Sequence, residues 1–122
     1  MKTESRQIRG VAILDLSGRI VLGDGSAALR DAIRDLAASG QKLILLNLAD
    51  INYIDSSGLG ELVASFATIR RQGGQLKLLK LTTRVHDLMQ VTKLYTVFDV
   101  YNSESEAIDS FAKESAAPLI AS

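Results

Sequence analysis

Four consecutive residues, Asp55-Ser56-Ser57-Gly58, place a carboxylate beside two hydroxyls where a helical pattern begins. After them, apolar residues recur at helical spacing up to about residue 71, which predicts an amphipathic helix. Two glycines, Gly58 and Gly60, lie in its first turn, and each costs up to about 1 kcal/mol relative to alanine. Nothing in the helical pattern requires them, which indicates that something other than helix stability selected them.

The start of this helix could hold a negative charge. If Ser57 is the N-cap, the backbone amides of Gly58, Leu59 and Gly60 open the first turn, and two of the three carry no side chain to shield them. A phosphate on Ser57 would add up to about two negative charges where the helix dipole favours them. The alternative is purely structural: Ser57 or Ser56 caps the helix, and the glycines make room for a neighbouring loop.

Other chemistries fit these residues less well. A nucleophile elbow needs Gly-x-Ser-x-Gly and a histidine base, but the leading glycine is absent and the single histidine, His86, has the neighbours of a surface helix position. No Gly-Lys-Ser/Thr follows a predicted strand, which excludes a Walker-type phosphate loop. The glycine turn at 23–26 could bind an anion, although a plain turn explains it. Asp15, Asp24 and Asp55 do not form a receiver-type magnesium pocket. We predict no catalytic residue, no metal and no cofactor.

The composition limits the classes of partner. The chain has 122 residues and is 47% hydrophobic, which is typical of one globular domain. Lysine plus arginine equals aspartate plus glutamate at 14 each, so no basic excess indicates nucleic-acid binding. There is no cysteine, which excludes disulfides and thiol chemistry. Because the N-terminus is polar and no apolar run is long enough for a membrane span, we expect a cytoplasmic protein without membrane insertion.

The remaining pattern predicts the elements that position the serines. Apolar and β-branched runs predict an opening hairpin, two inner strands and a last strand, at 5–9 with 11–16, 42–48, 75–81 and 95–101. Helical spacing predicts four helices, with N-caps at Ser26, Ser57, Thr83 and Ser103. The order predicts a single α/β domain with a mixed, mostly parallel sheet of about five strands. The Asp55 turn then lies at the carboxyl end of a strand, where such sheets place their binding sites.

With this motif and this order of elements, the sequence resembles a STAS domain of the bacterial anti-sigma factor antagonist family. The most specific part is NLADINYIDSSGLGELVASFATIRRQGGQLKLLKL, and VHDLMQVTKLYTVFDVYNSESEAI resembles the family's continuation. The resemblance covers roughly residues 5–112. It implies one STAS domain over residues 1–112. The remaining residues, 113–122, hold the only proline, which predicts a loose C-terminal tail.

The resemblance also implies a function. In that family, the serine before the glycine is phosphorylated by a partner anti-sigma factor that is itself a serine kinase, and a serine phosphatase reverses the modification. The implied acceptor is Ser57, with Ser56 as the second choice. The unmodified form would bind the anti-sigma factor and so free the sigma factor, and the phosphorylated form would release it. The implied partner interface comprises Asp24, Asp55, Ser56, Gly58, Leu59 and Gly60.

One loop departs from the family. Members commonly carry an acidic residue a few positions after the glycine that ends the second strand, whereas this chain has Val21 there and Asp24 later. The loop over residues 18–26 therefore leaves the partner class open. An alternative role is that of a scaffold or regulatory subunit, because STAS domains also occur in stress-sensing assemblies and lipid-transport ABC systems. A serine hydrolase is the third alternative.

Overall fold

A computed structural model describes the backbone of residues 1–121 and the side chains of residues 1–112. The strands are β1 (Lys2–Ile8), β2 (Val11–Ile20), β3 (Leu43–Ile54), β4 (Gln75–Leu79) and β5 (Val100–Tyr101). The helices are α1 (Asp24–Ala38), α2 (Ser56–Arg71), α3 (Thr83–Thr92) and α4 (Glu104–Ala121), with a 3-10 turn at Leu94–Thr96. The side chains of the predicted tail, 113–122, lie outside the described residues, and the tail stays a prediction.

The sheet has the predicted mixed topology. Its strand order is β1-β2-β3-β4-β5, with β1 antiparallel to β2 and every later pair parallel. Each parallel pair is joined by a crossover helix, so the helices run back against the strand direction. The α/β fold class, with five strands and four helices in the described part of the chain, is therefore confirmed.

The strand side chains alternate between two apolar layers. The larger layer holds the helices α1, α2 and α3, and its central buried residues include Leu29, Leu46, Leu48, Leu62 and Val85. The other face of the sheet is covered by α4, with Ile13, Leu45, Leu79, Ile108 and Phe111 buried between them. The central strand β3 contributes to both layers, as the nearly continuous apolar run at 42–48 predicted.

The bounds of all five strands differ from the prediction, and the differences are largest at two places. The strands β2 and β3 continue past the predicted ends at 16 and 48 as a two-stranded ribbon, in which Arg19 pairs with Tyr53 and Ile20 with Ile54. The last strand is shorter than predicted, because Lys93 in the left-handed conformation ends α3 and a 3-10 turn follows before Val100. Only two residues of β5 then pair with β4.

An ionic network ties three strands to α4. Arg6 on β1 donates to both carboxylate oxygens of Asp15 on β2, at 2.7 and 3.1 Å, and to both of Glu104 at the start of α4. Asn47 on β3 donates to Asp15 at 2.8 Å. The Arg6 hydrogen bonds are the main cause that lowers the pKa of both carboxyls. The network joins β1, β2, β3 and α4 on one face of the sheet.

Candidate functional site

The turn between β3 and α2 is capped by its aspartate. Asp55 is in the extended conformation of an N-cap residue (φ −94°, ψ −177°), and its Oδ1 accepts the N–H of Gly58 at 2.8 Å. The helix therefore begins at Ser56, and the prediction of Ser57 as the N-cap is wrong. The carboxylate is the better acceptor because it bears a full charge at the positive end of the helix dipole. Both serine hydroxyls are thereby left free of capping.

The second oxygen of the same carboxylate reaches the neighbouring loop. Oδ2 of Asp55 accepts the N–H of Leu22, between β2 and α1, at 3.0 Å, and the N–H of Asp55 donates to the carbonyl of Ile20 at 3.3 Å. The hydrogen bond from Leu22, followed by the one from Gly58, lowers the pKa of the Asp55 carboxyl. One ionised side chain thus joins the two loops at the carboxyl edge of the sheet.

The two first-turn glycines have different roles. A Cβ atom on Gly58 would lie 2.0 Å from the carbonyl oxygen of Ile20 and 2.9 Å from Cγ2 of Ile54, so the close packing of α2 on β2 requires this glycine. A Cβ atom on Gly60 would meet nothing within 4 Å. The structural alternative, in which the glycines make room for a neighbouring segment, therefore fits Gly58 but not Gly60. Gly60 instead leaves a bare, exposed backbone beside the serines.

The two hydroxyls of the turn are unengaged. Within residues 1–112, neither Ser56 nor Ser57 makes a side-chain hydrogen bond; Ser56 is exposed and Ser57 is partly buried. Exposure alone would favour Ser56 as the acceptor, whereas the family resemblance points to Ser57. Both hydroxyls lie in the first turn of α2, where a negative charge is stabilised.

Of the other predicted interface residues, Leu59 is buried and Asp24 is exposed. Leu59 is 9% exposed and packs into the larger core layer, so it supports the turn from below. Asp24 is exposed as the first residue of α1, whose N-cap is Gly23 and not the predicted Ser26. Ser26 lies inside α1, because the helix starts three residues earlier than the sequence pattern indicated.

Sequence reasoning missed an exposed leucine beside the turn. The side chain of Leu22 is 77% exposed, although its amide is held by Asp55. The sequence feature that could have indicated Leu22 is an apolar residue in a predicted loop that is otherwise rich in glycine and contains an aspartate. At the same edge, the guanidinium groups of Arg19 and Arg84 lie 5.2 and 5.5 Å from the ring centroid of Tyr53. Tertiary pairing alone brings these three residues together.

A groove between α1 and α2 was also missed. It has a volume of about 360 Å³ and is lined by Arg30 and Arg34 from α1 and by Glu61, Ser65 and Thr68 from α2, among others. Nη1 of Arg30 lies 3.5 Å from Oε1 of Glu61, and this ion pair crosses the groove.

The alternative chemistries gain no support from the geometry. His86 is exposed on α3, its nearest acidic group is Asp87 at 3.6 Å, and it lines a groove that neither serine of the turn lines. Within the described residues, no cluster of histidine, aspartate or glutamate could hold a metal ion. In the same part of the chain, no helix is long and apolar enough to cross a membrane.

The arrangement therefore offers two free hydroxyls, a positive helix end and an exposed apolar residue on one braced edge. Comparison with known proteins gives this edge a family context, because the model of the STAS domain matches residues 2–107. The chain belongs to the STAS domain family. The resemblance inferred from the Asp-Ser-Ser-Gly turn and its flanking elements is thereby confirmed.

Relatives of this STAS domain are anti-sigma factor antagonists. It is 39% identical over 72 residues to the anti-sigma-B factor antagonist of Bacillus subtilis (strain 168), covering 59% of this chain and 65% of the relative. It is 25% identical over 108 residues to the anti-sigma F factor antagonist of Paenibacillus polymyxa, covering 88% and 92%. The solved Bacillus cell fate determinant SpoIIAA in its phosphorylated form has the same fold, with a TM-score of 0.69 at 21% identity over 89% of this chain and 98% of that one.

Proposed function

We propose that this STAS domain is an anti-sigma factor antagonist whose partner binding is switched off by phosphorylation of Ser57, with Ser56 as the second choice. One observation carries the proposal: the carboxylate of Asp55 caps α2 and braces the Leu22 loop, so both serine hydroxyls stand free on a rigid turn. The names of the relatives, and a structural neighbour in a phosphorylated form, support the same function.

The proposed partner of the unmodified form is an anti-sigma factor that is a serine kinase. The kinase would supply the base, the magnesium ion and ATP, so this domain needs no catalytic residue of its own and acts as a binding protein in the cytoplasm. The partner would contact Asp24, Asp55, Ser56, Gly60 and the exposed side chain of Leu22. Gly58 and Leu59 would shape this surface from beneath, because both are buried.

Phosphorylation would change the surface without unfolding the domain. The new charge would lie at the N-terminus of α2, where the dipole stabilises it in the free protein. In a packed interface the same charge would lose its water and meet any acidic group of the partner, which weakens binding. A serine phosphatase that removes the phosphate would restore binding.

Labelling with magnesium-ATP tests this proposal. The purified chain is incubated with each anti-sigma serine kinase of the same organism, and its intact mass is measured. No lysine or arginine lies between Lys42 and Arg70, so one tryptic peptide carries both serines, and fragmentation assigns the phosphate. We expect one phosphate, lost in Ser57→Ala and retained in the matched Ser56→Ala. Loss in Ser56→Ala alone would move the acceptor to Ser56.

Two other outcomes would overturn the proposed switch. Absence of labelling by every such kinase, with stable co-purification in a larger assembly, would favour the scaffold or regulatory-subunit role. Esterase activity that disappears on changing Ser57 or His86 would make the protein an enzyme. A third variant, Ser57→Asp, mimics the charge of the phosphate. It should bind the kinase more weakly than the wild type does in a pull-down experiment. Its melting temperature should stay near that of the wild type, because the start of the helix tolerates a negative charge.

A further inference from the structure

The groove between α1 and α2 leads to the proposed acceptor. Ser57 and Glu61 are four residues apart on α2, so their side chains are neighbours on one face of the helix. Continuing along that face, Ser65 and Thr68 line the groove together with Glu61. Ser57 is partly buried, unlike the exposed Ser56. The acceptor therefore stands at the end of the groove that lies nearest the carboxyl edge.

A guanidinium group pairs with the residue that lies one helical turn after this serine. Nη1 of Arg30 is 3.5 Å from Oε1 of Glu61, which is longer than a well-formed charge-assisted hydrogen bond. The Arg30 side chain is 52% exposed, whereas that of Glu61 is 14% exposed. Within the described residues, Oε1 of Glu61 is buried and accepts no hydrogen bond. The arginine is thus attracted to this carboxylate but is not fixed by it.

The direction of the arginine side chain favours a move toward Ser57. Side chains of an α-helix lean toward its N-terminus. Both α1 and α2 run against the strands and begin at the carboxyl edge. From α1, the Arg30 side chain therefore leans toward the edge that carries Ser57. Arg34, one turn further along α1, lies deeper in the same groove.

We propose that Arg30 binds the phosphate of phosphorylated Ser57 by leaving Glu61. This inference rests on the proposed function, and it names the residue that binds the phosphate carried by Ser57. A phosphoserine carries up to about two negative charges, and the planar guanidinium can meet two of its oxygens at once. The carboxylates of Asp55 and Glu61 flank the acceptor and repel the phosphate. Arg30 supplies the cation that offsets this repulsion.

The pairing would also stabilise the modified form in the absence of its partner. The helix N-terminus and Arg30 would hold the phosphate on the surface of the domain itself. Arg30 would then no longer pair with Glu61. The distribution of charge in the groove would therefore change at the same time as the turn gains the phosphate. A partner that contacts both would meet two altered features instead of one.

The test places phosphoserine directly at residue 57 by genetic encoding, so it needs no kinase. The melting temperatures of the modified and unmodified forms are compared in the wild type, in Arg30→Gln and in the matched control Arg34→Gln. We expect phosphorylation to lower the melting temperature of Arg30→Gln by about 3 °C or more beyond its effect on the wild type. Arg34→Gln should respond to phosphorylation as the wild type does.

A further variant, Glu61→Gln, and an NMR measurement test the same contact between Arg30 and the phosphate. In Glu61→Gln the competing carboxylate is gone, so phosphorylation should be less destabilising than in the wild type. The NMR cross-peak of the Arg30 Nε–H should move on phosphorylation, and that of Arg34 should not. Equal changes in melting temperature in all variants, with a stationary Arg30 cross-peak, would overturn the assignment. That failure is separate from a failure of the labelling experiment, because the phosphate here is installed without an enzyme.

Discussion

A Cβ atom built on Gly58 would lie 2.0 Å from the carbonyl oxygen of Ile20. The end of β2 and the first turn of α2 are therefore packed backbone against backbone, with no space for a side chain. This contact fixes how far the two serines stand from the sheet. It also makes Gly58 a structural residue within a turn whose other members are free to bind a partner.

The two glycines of the first turn should respond oppositely to alanine. Gly58→Ala should lower the free energy of unfolding by about 3 kcal/mol, because the methyl group must displace backbone atoms. Gly60→Ala is the matched control and should raise it by up to about 1 kcal/mol, because alanine favours a helix and the site is open. Urea unfolding followed by circular dichroism measures both. Similar values for the two variants would contradict the packing seen at Ile20.

The cap at Asp55 should make stability depend on pH. Its pKa is lowered in the folded state, so its contribution is present above the unfolded pKa of about 3.9 and is lost as pH falls through the lower folded value. Asp55→Ala should melt at a lower temperature than the wild type at pH 7, with Asp55→Asn between them because one acceptor oxygen remains. Below the folded pKa the wild type should converge on Asp55→Asn, because protonation removes the charge but leaves an acceptor oxygen. A difference between these two proteins that persists undiminished at low pH would mean that the carboxylate charge is not the cause.

The network centred on Arg6 lies on a different surface, and its contribution to stability should also decrease as the pH falls. The pKa values of Asp15 and Glu104 are lowered mainly by hydrogen bonds from Arg6, so their stabilisation is present above about pH 4 and is lost as pH falls through the lower folded values. With the Arg6 side chain 38% exposed, solvent screening limits the cost of Arg6→Gln to about 1 kcal/mol at pH 7.

An exposed ion pair on the same strand region provides the control for this measurement. Arg9 and Asp109 are 3.2 Å apart, with side chains 63% and 56% exposed. Arg9→Gln should change stability by less than about 0.5 kcal/mol at any pH. Melting curves between pH 7 and pH 3 compare the two variants. An Arg9→Gln loss as large as that of Arg6→Gln would show that the network adds nothing beyond a surface ion pair.

Leu22 should contribute to binding and not to folding. Its side chain is 77% exposed, and its backbone amide holds it to the turn, so Leu22→Ala should keep the wild-type melting temperature. A buried apolar anchor typically contributes more than 1 kcal/mol to an interface, which corresponds to about a tenfold loss of affinity. Calorimetry with the kinase found by labelling measures this loss. Val91→Ala, a similarly exposed residue on α3, is the control and should bind normally.

The sequence was informative wherever one segment determines its own structure. The apolar run at 42–48 predicted a strand covered on both faces, and the helical spacing after Ser57 predicted α2. Ser103 was predicted to start the last helix, and its Oγ accepts the N–H of Glu106 at 3.3 Å. These features depend on neighbours within a few residues, which a pattern of residue types records directly.

The rest depended on partners far apart in the chain. In the ribbon formed by β2 and β3, the second half of β3 carries polar, exposed residues such as Asp50 and Asn52. This segment has the composition of a loop, and it forms a strand only because it pairs with β2. The second partner of Asp55 is an amide 33 residues earlier, at Leu22. No local pattern encodes that distance, so the contact between Asp55 and the Leu22 loop could not be predicted, although the cap of Asp55 on Gly58 is itself local.

The antiparallel course of β1 has a practical consequence for measuring the proposed switch. Lys2 pairs with Ser17, and Ser17 precedes by three residues the carbonyl of Ile20 that accepts the N–H of Asp55. At about 3.3 Å per residue, Lys2 lies roughly 10 Å along the ribbon from the carbonyl of Ile20. A fluorescent dye attached at Lys2 would report binding of the proposed kinase partner without touching the serines. A bulky tag at the same point would lie close to the surface that is proposed to bind this partner.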